Sequence, residues 1–363
     1  MRIVVAPDSF KGSIGAAEAA TALAAGWLGA RPGDDLACVP LADGGEGTLE
    51  VLASAIAAAR WHRVQVTGPG GARVAARWLE LPDGTGYIEL AQASGLPLMA
   101  ALDPLGAQTT GTGELIGDAL NAGVRRIVIA LGGSASTDGG SGALVALGAR
   151  FLDAEGQELP AGGGALGDLA SADLTGLRSP PPGGVTCLTD VRAPLLGPRG
   201  AAAVFGPQKG ADAAQIAVLE AGLTRLVLAL GGDPEAPGSG AAGGTGYGLA
   251  AAWGAQIMPG AAEVCRIVGL DQELSHADLV LTGEGRYDAT SRDGKVAGTV
   301  LAAAARAGVP AAVVAGQIAD DPPPGVAAVA LARLAGGAEA AMASPERWLR
   351  AAGQMLALGQ TGG

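Results

Sequence analysis

Lysine is almost missing from this chain: of 23 basic residues only Lys11, Lys209 and Lys295 are lysines, and arginine supplies the rest. Where surface cations are drawn so heavily from arginine, three remaining lysines ask for a chemical reason, and anion binding by a compact point charge is the first to consider. Histidine is scarcer still, with His62 and His276 far apart, and the three cysteines, Cys38, Cys187 and Cys265, show no C-x-x-C spacing. That pattern removes zinc fingers, disulfide frameworks and histidine-driven catalysis, and fits a reduced, cytoplasmic protein. Aromatics are only 3% of residues, and Asn121 is the single asparagine. No run reads as a membrane span: the longest charge-free stretch, 236–262, is broken by eight glycines and two prolines, whereas a spanning helix needs about 20 predominantly apolar residues. The N-terminal apolar run stops at Pro7-Asp8, too short for a signal peptide. A net charge of −12 without a basic stripe excludes a nucleic-acid groove and an anionic membrane surface. The expected partner is a small molecule.

What is present in excess is glycine, 62 of 363 positions, more than twice the usual share of about 7%. There is no G-X-Y period, and apolar runs recur throughout, so neither collagen nor disorder explains it. The length predicts two domains. Short β-branched runs at 2–6, 36–39, 127–131 and 277–281 are each followed by a glycine-rich loop and a helical stretch (13–30, 48–58, 140–147, 294–307). Strands alternating with helices predict an α/β fold with largely parallel sheets. Between 61 and 90 the texture changes to β-rich segments separated by Gly/Pro turns, which reads as antiparallel pairing. An open α/β lobe drawn from both ends of the chain, with the middle forming a second lobe, follows from that order. Ser344 and Pro345 start a final helix as N-cap and first helical residue.

In an open α/β sheet, ligands sit at the carboxyl ends of strands, where loops lead into helix N-termini. Five such loops combine glycine with carboxylates, hydroxyls or lysine. The first is Asp8-Ser9-Phe10-Lys11-Gly12-Ser13. The second, Ala42-Asp43-Gly44-Gly45-Glu46-Gly47-Thr48, has two carboxylates among glycines that let backbone approach a ligand. The third, Gly132-Gly133-Ser134-Ala135-Ser136-Thr137-Asp138-Gly139-Gly140, is a hydroxyl-rich nest suited to phosphates. Asp190 ends a strand at 185–189, and Lys209 follows in Gly206-Pro207-Gln208-Lys209-Gly210. The last cluster is Thr282-Gly283-Glu284-Gly285-Arg286-Tyr287-Asp288 with Asp293-Gly294-Lys295, whose carboxylates suit Mg²⁺. No Walker A loop occurs, and the G-x-G-x-x-G at 238–243 follows no predicted strand, so a Rossmann dinucleotide site is weakly supported. Lysines and glycine loops for phosphate, with surplus carboxylates for metal and proton, are the components of phosphoryl transfer.

These blocks resemble, in order along the chain, those of the type I glycerate kinase (glycerate 2-kinase) family, together with Gly111-Thr112-Gly113-Glu114, Gly240-Ala241-Ala242-Gly243-Gly244 and Gly294-Lys295-Val296. The resemblance implies ATP- and Mg²⁺-dependent phosphorylation of D-glycerate, usually at the 2-hydroxyl. It also implies a flavodoxin-like lobe (1–66 and 277–363) holding an inserted, restriction-enzyme-like α/β lobe (67–276), the active site in the cleft between them. A homodimer is compatible with it. Three positions depart from the family pattern, Thr137, Ala193 and Thr290. On this basis Asp190 is the expected base, with Asp43 as substitute, and Lys11 and Lys295 belong to the catalytic set. Ser9, Lys11, Glu46 and Arg286 would hold the substrate. Gly132, Gly133, Ser134, Asp138, Gly139, Lys209, Lys295 and Gly243 would hold ATP, and Asp288 or Glu284 the metal. A kinase for another hydroxy acid, a Mg²⁺-dependent phosphatase, and a non-catalytic sensor of a phosphorylated metabolite are the rival readings.

Overall fold

The computed structural model describes residues 1–292 and 294–360; Asp293, part of the last loop motif, lies outside them. Thirteen strands run along the described chain: β1 (Arg2–Pro7), β2 (Asp35–Cys38), β3 (Arg60–Thr67), β4 (Arg73–Glu80), β5 (Thr85–Glu89), β6 (Arg126–Ala130), β7 (Arg150–Leu152), β8 (Ser171–Asp173), β9 (Val185–Leu188), β10 (Gln256–Met258), β11 (Leu279–Tyr287), β12 (Ala311–Ile318) and β13 (Ala327–Ala330). They divide between two compact units. The first comprises Met1–Asp43, Glu50–Ala57 and Pro259–Gly363, the second Gly44–Leu49 and Ala58–Met258.

In the first unit the sheet order is β13-β12-β11-β1-β2 and every pairing is parallel. Both faces are covered, which explains why β1 reads as a continuous apolar run. Ile3 and Val5 join a core with Leu23, Trp27, Leu349 and Leu356, whereas Val4 and Ala6 point to Val264, Val300 and Ala304 on the other side. The helices Ala16–Ala30 and Pro345–Gly359 approach so closely that glycine is required twice. A Cβ on Gly26 would strike the Arg350 backbone, and one on Gly353 would strike the Leu23 carbonyl. Counting only this unit's strands, the order from the β2 edge is 2-1-3-4-5, the flavodoxin-like arrangement, with its switch point between β1 and β11.

The second unit holds a mixed sheet of order β10-β9-β6-β5-β4-β3. β3, β4 and β5 pair antiparallel, as the 61–90 texture predicts, and β5, β6, β9 and β10 pair parallel. Its core gathers Trp78, Ile88, Leu115, Ile129, Leu223 and Tyr247.

Two expectations need correction. The unit boundaries fall at 57/58 and 258/259 instead of 66/67 and 276/277. β3 pairs along its whole length with β4, and the helices Gly260–Ile267 and Leu270–Leu274 pack on the helix Val296–Ala307. The helix Ala213–Leu230 is long and apolar enough to cross a membrane by length and composition alone, which does not overturn the expectation of no span. It carries Glu220 and Arg225 and packs Leu219, Leu223 and Leu226 into the second unit's core. Second, β11 continues to Tyr287, so most of the expected 282–288 loop is strand.

Candidate active site

At the switch point, the carboxyl ends of β1 and β11 are tied together. The Thr282 hydroxyl donates to the Ala6 carbonyl at 2.9 Å, and the Asp8 amide donates to the Gly283 carbonyl at 2.8 Å. After Asp8 the chain folds into a tight turn: the Ser13 amide and hydroxyl both donate to the Phe10 carbonyl, at 2.9 and 2.8 Å. Lys11 sits at its tip. Because β11 stays extended through Tyr287, Glu284 and Arg286 are two residues apart on one face.

These features open into one cavity of about 360 Å³, near the lower end of the range typical of small-ligand sites. Its charged lining consists of Asp8, Lys11, Asp43, Glu284, Arg286 and Lys295, with Ser9 and Ser13 beside them. Lys11 Nζ lies 3.2 Å from Asp43 Oδ2. Lys295 occupies the N-cap position of the helix Val296–Ala307, so the positive end of that helix faces the same region as its ammonium. Three cations balance three carboxylates here, although the whole chain carries −12.

Burial and the neighbouring Asp43 charge push the Asp8 carboxyl up to about 7; the Ser9 amide and Lys11 only partly offset them. Glu284 is also raised, first by burial. Its Oε1 is buried without a hydrogen-bond partner. Among the described residues no three His, Cys, Asp or Glu groups form a metal cage. Mg²⁺ needs no such cage, since it takes one or two carboxylates and completes its shell with phosphate oxygens and water. The orphaned Glu284 oxygen fits that donor set.

Asp288, the other expected metal ligand, is used locally and is not on the cavity lining. Its Oδ1 accepts from the Thr290 amide and hydroxyl at 3.0 and 2.6 Å, and its Oδ2 lies 3.3 Å from Arg286 Nε. These contacts hold its carboxyl below the usual range, the Thr290 hydroxyl contributing most. Thr290, one of the departures from the family pattern, thus caps Asp288.

The remaining expected residues belong to the second unit. Gly132 and Gly133 pack against the 45–46 backbone and the exposed Glu46; a Cβ on Gly133 would collide with that carboxylate. Asp138 is fully buried, and both its oxygens are occupied by protein donors: the Thr109 amide and hydroxyl at 2.9 and 2.7 Å, and the Gly140 and Gly142 amides at 3.1 and 3.3 Å. Through these four bonds it organises the loop. Gly139 and Gly243 take positive φ, and a Cβ at either would enter Leu226 or the Ser136 carbonyl, so both serve packing. Ser134 bonds to Ser136. Lys209 is 3% exposed, and its ammonium donates to the Ser136 carbonyl and, at 3.4 Å, to the Thr137 hydroxyl. Burial pulls its pKa down to about 8. Thr137, another departure, is therefore a partner of Lys209. Asp190 is half-buried beyond β9, and the Ala193 carbonyl accepts from the Gly240 amide at 3.0 Å.

Asp8 is the functional candidate that sequence reasoning left unassigned. It stands directly after a β-branched strand, a signal that was legible; the neighbours that perturb it were not.

A family model described as the glycerate kinase family matches residues 3–358. The chain belongs to the glycerate kinase family. Among its relatives, the glycerate kinase of Bacillus subtilis is 45% identical over 332 residues, covering 88% of this chain and 86% of that one. The glycerate 2-kinase of Escherichia coli K12 is 43% identical, with the same coverage of 88% and 86%. The crystal structure of a glycerate kinase 2 candidate from Salmonella typhimurium LT2 superposes with a TM-score of 0.82 at 42% identity, covering 99% of both chains. As a member of the glycerate kinase family, the chain is a kinase with a mixed α/β fold.

Proposed function

We propose that this chain transfers the γ-phosphoryl group of ATP to D-glycerate, at the 2-hydroxyl, giving 2-phosphoglycerate and ADP. The observation that carries the reading is the convergence of Asp8, Lys11, Asp43, Glu284, Arg286 and Lys295 on one cavity at the sheet's switch point. Family membership and the name of the E. coli relative support the substrate and the position.

Lys11 and Arg286 hold the glycerate carboxylate, the guanidinium in a two-point contact and the ammonium as a point charge kept in place by Asp43. Lys295 and the helix N-terminus behind it receive phosphate oxygens. Asp8 takes the proton from the attacking hydroxyl. We prefer it to the expected Asp190 because a carboxyl raised to about 7 accepts a proton at neutral pH with the most driving force compatible with being ionised. Glu284 is the residue to hold Mg²⁺, which when bound would neutralise charge on the phosphoryl oxygens. The free thiols Cys38 and Cys187 support a reducing, cytoplasmic setting.

The test is ADP release from ATP over a panel of small hydroxy acids, with phosphorus NMR of the product. D-Glycerate should be the preferred acceptor and 2-phosphoglycerate the product. Preference for another hydroxy acid, phosphate release without ATP, or binding with no turnover would each replace this reading by the corresponding rival.

A further inference from the structure

The cavity at the β1–β11 switch point is chemically two-sided. Opposite the charged groups in character stands an apolar wall of Phe10, Leu331, Ala341, Met342 and Pro345, which come from the turn after β1 and from the helical segments Leu331–Ala335, Ala338–Ala343 and Pro345–Gly359. Phe10, Leu331 and Ala341 are 3%, 2% and 5% exposed, so they form a fixed floor that belongs to the hydrophobic core. Met342, in contrast, is 57% exposed, an unbranched thioether side chain at the mouth of a cavity.

D-Glycerate has an oxygen on each of its three carbons and no apolar surface to bury. It gains nothing from such a wall. A nucleoside triphosphate has both parts, a flat weakly polar base and a polyanionic tail, and this cavity offers a surface for each. Gln317, paired in register with Arg286, also lines it and carries an amide with two donors and an acceptor for a base edge. We propose that the purine base of the nucleotide docks on the wall formed by Phe10, Leu331, Ala341, Met342 and Pro345, with Met342 closing over the ring and the phosphates running toward Lys295. This inference rests on the kinase reading above and adds where the base binds. It also relocates the nucleotide from the 132–140 loop, whose Asp138 and Ser134, like Lys209 donating to it, are engaged with protein partners.

Two measurements on the full-length protein test it. Calorimetric titration with MgATP and with magnesium tripolyphosphate separates base from phosphate. Because Met342 is exposed, Met342→Glu should fold normally, weaken MgATP binding about tenfold or more, and leave tripolyphosphate binding within about twofold. Equal loss for both ligands, or unchanged MgATP binding, overturns the inference. Photolabelling with 8-azido-ATP should place the adduct in a peptide spanning 331–345, suppressed by excess ATP; an adduct confined to 132–140 or 242–244 overturns it. Glycerate-dependent ADP release, followed in the same preparations, keeps the two claims apart. Turnover with normal MgATP binding by Met342→Glu removes the base site and leaves the kinase. ATP held on the wall without turnover on any hydroxy acid does the reverse.

Discussion

Asp8 and Asp138 are both carboxylates that follow a β-branched strand, and their surroundings send them in opposite directions. Asp138 accepts four hydrogen bonds and is spent on its own loop. Asp8 accepts one from the Ser9 amide and otherwise faces the Asp43 and Glu284 charges, which Lys11 only partly offsets. Asp8→Asn should therefore lower kcat by about 10²–10⁴ with a smaller change in KM; near-normal turnover would return the base to Asp190 or Asp43. Glu284→Gln keeps the size of the side chain and removes its charge, so steady-state titration should show the Mg²⁺ requirement rising about tenfold or more. Lys209 gives a pH prediction. The folded protein releases its proton near 8, whereas the unfolded chain holds it into the ordinary lysine range. The unfolded state thus binds more protons between those limits, and stability rises with pH across them. Lys209→Met should flatten that rise in denaturant titrations. In the sequence, Asp138 and Asp8 were indistinguishable in kind, because the donors from Thr109 and the charges of Asp43 and Glu284 come from segments distant along the chain.

Among elements, β1 and the helix Ala16–Ala30 were legible because apolar periodicity alone dictates them. The apolar run ends at Leu281, the third residue of β11, because Gly-Glu-Gly-Arg carries loop composition. Pairing with β12 through Tyr287 overrides that composition, and it is this extension that brings Glu284 and Arg286 to one face. The helix pair joined at Gly26 and Gly353 was invisible, since glycine in a glycine-rich chain carries little signal of its own. It yields a contrast. Gly353→Ala should destabilise by about 1–3 kcal/mol, because the added methyl meets backbone that cannot yield. Gly29→Ala, in the same helix as Gly26 but in open space, should stabilise by about 0.4–1 kcal/mol. Urea denaturation of the two variants checks both signs.

At the scale of the molecule, the alternation of strands and helices predicted parallel α/β architecture correctly, while the unit boundaries moved because β3 follows its hairpin partner and the helices at 260–274 follow theirs. A nucleotide and substrate held in the first unit should stabilise that unit by mass action, by about 2.7 kcal/mol at one hundred times Kd. Hydrogen exchange with saturating MgATP and D-glycerate should then slow most at β1, β11 and β12. Slowing confined to β6 and the 132–140 loop would move the site to the second unit.

The parallel partners of β1 are β2, close in sequence, and β11, which begins at Leu279. During synthesis the first two strands leave the ribosome long before the three that complete their sheet. At about 5–20 residues per second, the roughly 240 residues between β2 and β11 take about 10–50 s to translate. The sheet's own edge stays open for that interval, while the chain for the second unit is already complete at Met258. The chain of the second unit is thus complete before the first unit's sheet can close, and the helix locked by Gly353 follows the last strand of that sheet, β13.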